Sequence, residues 1–193
     1  MSSTLLVEKR PSEARERLLS TASELFYREG IHSVGVDRVV LTAGVTRATF
    51  YRHFPSKEDL VEAYLAREDS AIRRFVSEVL ARETSPDELL ELIIQGIADD
   101  VTYNHTRGCP FINASAEYPD PESPVRIAIR AHRAWFQGTL ADALAAASRP
   151  DPAAGARALV LLRDAALVGG YLDGPDSMRA TFVATSRALA GLG

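Results

Sequence analysis

The sequence predicts an all-α protein of about nine helices, and three observations carry that expectation. Apolar residues recur at the i, i+3, i+4, i+7 spacing of a helix face, as at Leu18, Leu19, Ala22, Leu25 and Phe26. Start and stop signals punctuate the chain at short intervals, with Ser, Thr or Asp before proline or an acid at the starts and glycine at several ends. No stretch between turn signals alternates apolar and polar residues as a half-buried strand does.

Taken in order, the first helix runs from Ser12 to Glu29 and stops at Gly30, a residue that tolerates left-handed backbone angles. A short second helix spans Val36 or Asp37 to Ala43 and ends at Gly44. The third follows Thr46, whose hydroxyl can accept a backbone N–H bond, and closes near Phe54-Pro55. Ser56 to Asp59 has the spacing of a capping box and opens a long fourth helix to about Arg82. Ser85-Pro86-Asp87-Glu88 combines a cap, a proline in the first turn and an acid three residues on, starting a fifth helix to about Asn104. After a break at Arg107-Gly108, Pro110 opens a short sixth helix through Glu117. A proline-rich loop over 118–124 ends in Ser123-Pro124, which launches the seventh helix to about Ser148. Asp151-Pro152 caps an eighth to about Leu172, and Asp173-Gly174-Pro175 begins the last, ending near Leu192-Gly193.

Of the 193 residues, 46% are hydrophobic and 25% charged, enough apolar material for a substantial core and too much for a disordered chain. The apolar stretch Leu5-Leu6-Val7 is too short for a secretory leader, and no stretch approaches the roughly 18 uncharged apolar residues of a membrane span. The one cysteine, Cys109, excludes an intrachain disulfide and a multi-cysteine metal site. His32, His53, His105 and His132 have no metal-ligand spacing, so neither metal nor cofactor is expected, and the expected setting is the cytoplasm. Net charge is -4, but its distribution is uneven: residues 1–57 carry nine Lys or Arg against six Asp or Glu, and the remainder thirteen against twenty. A basic first segment on an acidic body points to a polyanion meeting only that segment.

Within that segment, the run Asp37 to Phe54 holds two short helices meeting at Ala43-Gly44-Val45, where glycine relieves a tight turn. The second helix gathers Arg47, Thr49, Arg52 and His53 with Thr46 at its start, and Ala48 is small enough to permit close approach. Short polar and basic groups reach base edges, while hydroxyls and amides hold phosphates. Val45 and Phe50 face inward toward Leu18, Ala22 and Phe26, and Tyr51 and Lys57 flank the reading surface as phosphate ligands.

From about Glu13 to Tyr64 the chain resembles the TetR family of bacterial transcription regulators. The likeness rests on Ala43-Gly44-Val45-Thr46, Thr49-Phe50-Tyr51, Phe54 and Lys57-Glu58-Asp59-Leu60 in fixed register. It implies a three-helix helix-turn-helix DNA-binding head over residues 1–57 and a helical ligand-binding and dimerisation body over 58–193. It also implies phosphate contacts by Thr46, Thr49, Tyr51 and Lys57, base contacts by Arg47, Arg52 and His53, and repression as the usual mode. Two positions depart from the pattern. Val34-Gly35 stands where a Thr or Ser pair is usual, leaving only backbone amides at the second helix's N-terminus, and Val40 replaces a usual alanine.

The last two helices are rich in small and aliphatic residues, including Ala158, Leu159, Leu162, Ala165, Ala166, Val168, Gly169, Phe182, Val183 and Leu189. They serve either a core or a close helix–helix dimer interface, and the resemblance favours a homodimer through them, reading a near-palindromic double-stranded operator. Tyr103, Cys109, Phe111, Trp135 and Phe136 are the candidate contacts for a small-molecule effector, because aromatics with a few polar groups supply area and orientation. Gly108-Cys109-Pro110-Phe111 also resembles a recurring feature of one TetR subgroup. Three alternatives stay open: redox sensing through Cys109, an enzyme using Cys109 with His105 or His132, and a helical adaptor whose basic head binds a protein.

Overall fold

The structure, a computed structural model, describes residues 12–193, so the Leu5-Leu6-Val7 stretch lies outside the described residues. Among these, helix is the regular structure and no strand occurs. The nine α-helices are α1 (Glu13–Glu29), α2 (Val36–Ala43), α3 (Arg47–His53), α4 (Lys57–Leu80), α5 (Pro86–Asp99), α6 (Pro110–Glu117), α7 (Pro124–Ala146), α8 (Pro152–Asp173) and α9 (Pro175–Leu189). No helix of the described residues is long and apolar enough to cross a membrane.

The starts read from the sequence are built as hydrogen bonds. Ser12, Thr46, Ser85, Ser123 and Asp151 each accept a backbone N–H from the residue three positions on, filling one of the orphan donors of a helix start. Ser85 and Glu88 form a reciprocal capping box. Ser56 and Asp59 do the same at α4: the Ser56 N–H donates to Asp59 Oδ2 at 2.8 Å and the Asp59 N–H to Ser56 Oγ at 3.1 Å.

One expectation needs correction. The fifth helix does not run as an α-helix to Asn104; it ends at Asp99 and continues as a single π turn over Asp100–Asn104. The widening is visible in the His105 N–H, which reaches back five residues to the Asp100 carbonyl at 2.9 Å. Polar groups compete with the ordinary ladder here: the Thr102 hydroxyl donates to the Ala98 carbonyl at 2.7 Å, and His105 binds the Asp100 side chain.

The chain divides into two compact units, one ending at Tyr64 and one running from Leu65 to Gly193. The division falls inside α4. In the first unit α1 packs on α2 and α3 around Leu18, Ala22, Phe26, Val39, Phe50, Phe54 and Leu60, with Phe26 edge-on to Tyr64. In the second, α8 packs along α7 and α9 while α5 packs on α7 and α9. Helices α8 and α9 come especially close, since a Cβ on Gly169 would sit 2.7 Å from Met178 Sδ.

Candidate functional site

Gly44 closes α2 with φ 63°, a left-handed conformation in which a Cβ is disfavoured, and this turns the chain sharply into α3. Phe50 then fixes the rotation of α3 by burying its ring completely. Because Phe50 points inward, Thr46, Arg47, Ala48, Tyr51 and Arg52 all emerge on the solvent side, with Thr49 and His53 half-buried. Apolar anchoring on one side and a small, polar, cationic face on the other is what a helix entering a groove requires.

Each expected contact residue has a definite local partner or none. Thr46 Oγ1 accepts the Thr49 N–H at 3.1 Å, and the two hydroxyls lie 3.0 Å apart. Arg47 forms a two-bond fork with Asp37 of α2, Nε donating to Oδ1 at 2.6 Å and Nη2 to Oδ2. His53 Nε2 lies 3.0 Å from the Ser12 hydroxyl. Lys57 donates to the Ile31 carbonyl at 2.7 Å and stands over the Phe26 ring. Arg52 makes no ion pair among the described residues. Val34 is part of the core and Gly35 caps α2 without a side-chain bond, so that helix start offers amides alone.

The expected effector residues do not all meet. Cys109, Phe111, Trp135 and Phe136 converge through two residues they share, His132 and Arg163. Phe111 stacks flat on His132 at 3.8 Å, and Trp135 and Phe136 lie 6.0 and 6.2 Å from the same ring. Arg163 stands over Phe136 at 5.2 Å, and its Nη1 is 3.7 Å from Cys109 Sγ. Tyr103 is elsewhere, 72% exposed on the π turn with Arg179 over its ring.

Arg163 and the polar partners on α4 were missed by sequence reasoning, although for Arg163 a signal existed, of the same kind that His132 shows. Arg163 falls on the stripe Leu159, Val160, Ala166, Leu167 that α8 buries, and His132 on the stripe Ile129, Phe136, Leu140 of α7. A charged or titratable residue in an apolar stripe marks a buried polar site. The partners on α4 are Glu68, Asp69 and Arg73. His132 Nδ1 is 2.7 Å from Asp69 Oδ1, Asp69 Oδ2 accepts from Arg73 Nε at 2.6 Å, and Arg73 lies 4.0 Å over Trp135. Burial, with Arg163 and Arg73 nearby, holds His132 below the usual imidazole range despite Asp69. The ring is therefore neutral at neutral pH, with Nδ1–H donating to Asp69. His105 is the opposite case. Burial pulls it down, but hydrogen bonds and charge from Asp100 and Glu68 overcome that and lift it to about 9.

The geometry thus defines a helix-turn-helix DNA-reading head in the first unit and an aromatic, polar-lined core in the second. The profile of the family described as "Bacterial regulatory proteins, tetR family" matches residues 18–64. A TetR-family transcriptional regulator from Streptomyces coelicolor, known from its crystal structure, is 44% identical with a TM-score of 0.88, over 92% of this chain and 94% of that one. The HTH-type transcriptional repressor NemR of Escherichia coli is 29% identical over 119 residues, 61% of this chain and 60% of its own. The crystal structure of its reduced form superposes with a TM-score of 0.79 at 23% identity, covering 92% of this chain and 97% of that one. A Bacillus subtilis HTH-type regulator, YxaF, is 24% identical over 126 residues, 64% of this chain. The matched stretches span 66% or less of these two curated relatives. The chain belongs to the TetR family of transcriptional regulators.

Proposed function

We propose that this regulator binds a near-palindromic duplex operator as a homodimer, represses from it, and releases it when a small-molecule effector occupies the body. The observation that carries the DNA half is the outward face of α3, polar and cationic around a fully buried Phe50. In this reading Thr46, Thr49, Tyr51 and Lys57 hold phosphates, and Arg47, Arg52 and His53 meet base edges. Residues 1–57 are the DNA-binding domain and 58–193 the effector and dimerisation domain, which opens with α4.

The dimer is supported by a second apolar stripe on α8. Leu161 and Leu172 are 68% and 71% exposed, with Ala165 and Val168 between them at helical spacing. Two copies pairing these stripes bury what one copy leaves in water. The effector reading rests on the Phe111–His132–Trp135–Phe136 cluster with Cys109 and Arg163 at its edge. Repression follows the likeness to NemR, which is named a repressor.

Footprinting of the DNA flanking the gene, with a reporter fused to that promoter, tests the whole. Protection of a two-fold symmetric site and a rise in reporter on deletion of the gene are expected. Lys57→Ala should weaken every duplex alike and lower the slope of log affinity against log salt by about one per protomer. Failure to retain any duplex more tightly than bulk DNA would overturn the proposal.

A further inference from the structure

Arg47 opens α3, and Asp37 sits in the first turn of α2, ten residues earlier. Their side chains are 66% and 68% exposed, so burial does not force them together; the backbone of the two helices places them within reach. The contact is a parallel fork, Nε to Oδ1 at 2.6 Å and Nη2 to Oδ2, the bidentate geometry in which a guanidinium is orientationally fixed. Arg52, four residues on from Arg47's neighbour Ala48, has no comparable tether among the described residues.

We infer that Asp37 is a specificity-determining residue, which holds Arg47 with its free edge outward so that it reads a guanine instead of gripping a phosphate. The inference rests on the proposed reading of α3 as the recognition helix. A guanidinium has five N–H groups. The fork uses Nε–H and one Nη2–H. That leaves the end-on edge, one N–H from Nη1 beside the other from Nη2, as two parallel donors. Guanine is the base that offers two acceptors, O6 and N7, side by side in the major groove. Adenine pairs an acceptor with a donor there and cannot accept both.

The carboxylate also acts against the wrong partner. Swinging Arg47 to a phosphate would leave Asp37 unpaired beside a polyanion, a like-charge contact that disfavours the alternative. The pair is neutral as a unit, so Arg47 adds little to sequence-blind attraction while it stays in the fork. Lys57, read above as a phosphate ligand, supplies that attraction instead. Base preference at the Arg47 position and nonspecific affinity are therefore set against each other by one carboxylate.

The test is selection of a random duplex pool by the full-length protein and by Asp37→Asn, Asp37→Ala and Arg47→Ala. The selected duplexes are then compared with a scrambled duplex of equal length across a salt series. The wild type should select one G·C pair at symmetric positions of both half-sites, and Arg47→Ala should make that pair degenerate. Asp37→Asn and Asp37→Ala should keep the rest of the site and lose preference at that pair by about 5-fold or more. They should also bind the scrambled duplex more tightly, with a steeper salt slope. Thermal unfolding by circular dichroism confirms that these exposed-site variants fold. Wild-type preference in both Asp37 variants overturns the inference while leaving the recognition helix in place, as does a site with no Arg47-dependent G·C pair. A wild-type protein that selects no sequence at all removes the underlying reading as well.

Discussion

Raising the pH from about 7 to 9.5 should loosen the body at one contact. His105 is 11% exposed, with Nδ1 2.7 Å from Asp100 Oδ1 and Nε2 3.3 Å from Glu68 Oε2. Its pKa is about 9 in the folded chain against 6.5 for a free imidazole. A base raised on folding contributes stability that is fully present below 6.5 and lost as pH climbs through 9. At about 1.4 kcal/mol per pH unit of difference, the contribution has a ceiling of about 3 kcal/mol, and about 2 kcal/mol of it disappears between roughly pH 7.5 and 9.5. Trp135 is the single tryptophan and lies in the same unit, stacked under Arg73, so its fluorescence during urea unfolding reports this unit directly. The wild-type midpoint should fall over that interval. His105→Gln should be less stable at pH 7, flat over the same interval, and close to the wild type by about pH 10. Parallel curves for the two proteins would refute the assignment. His132 runs the other way: a neutral buried imidazole resists protonation, so its share of stability is intact above 6.5 and declines as pH falls below it.

Gly35 has open space where a Cβ would go and ordinary negative φ, so Gly35→Ser should supply the missing cap hydroxyl of α2. We expect a gain of a few tenths of a kcal/mol in unfolding free energy and tighter operator retention in gel-shift titration, and unchanged DNA affinity would show that this helix start does not meet phosphate. Placing glutamates at the exposed Leu161 and Leu172 should convert the dimer to a folded monomer by sedimentation velocity. An unchanged sedimentation coefficient would place the interface elsewhere.

Most of the fold was legible because helix ends are local. Ser12, Thr46, Ser85, Ser123 and Asp151 announce their bonds within four residues of chain, and the buried stripe of α1 repeats at a fixed spacing. What stayed hidden was contact across distance. The Asp37–Arg47 fork joins two helices through a turn, and the His132–Asp69 bond spans 63 positions, so no spacing rule reaches either. The π turn was hidden for a different reason: it is the last turn before the chain breaks, so no apolar stripe continues past it to show the shifted register, and only Asp100 and His105 betray it. Helix α8 shows a third limit. Its stripe through Ala156, Leu159, Val160 and Ala166 is the protomer's own core, while Leu161, Ala165, Val168 and Leu172 remain outside. Both stripes are apolar at the same period, so the pattern alone does not separate the buried face from the exposed one.

The two histidines grip consecutive residues of α4, one as a cation and one neutral, and on the proposed effector reading this bears on how ligand binding would be signalled. His105 is a cation on Glu68; His132 is a neutral donor to Asp69. Phe111 lies flat on His132 at 3.8 Å, so on the proposed effector reading a ligand that displaces Phe111 takes away the imidazole's packing partner. A hydrogen bond to a charged group is worth about 1.5–3 kcal/mol, and allosteric coupling typically amounts to about 1–3 kcal/mol. On the proposed effector reading, loss of the His132–Asp69 bond is thus comparable in size to a typical coupling energy. Asp69→Asn keeps an acceptor but removes the charge. It should leave operator binding intact and cut the fold-release produced by any DNA-releasing compound severalfold, with that compound still bound in calorimetry. Full release from the Asp69→Asn protein would show that the coupling runs through other contacts of α4.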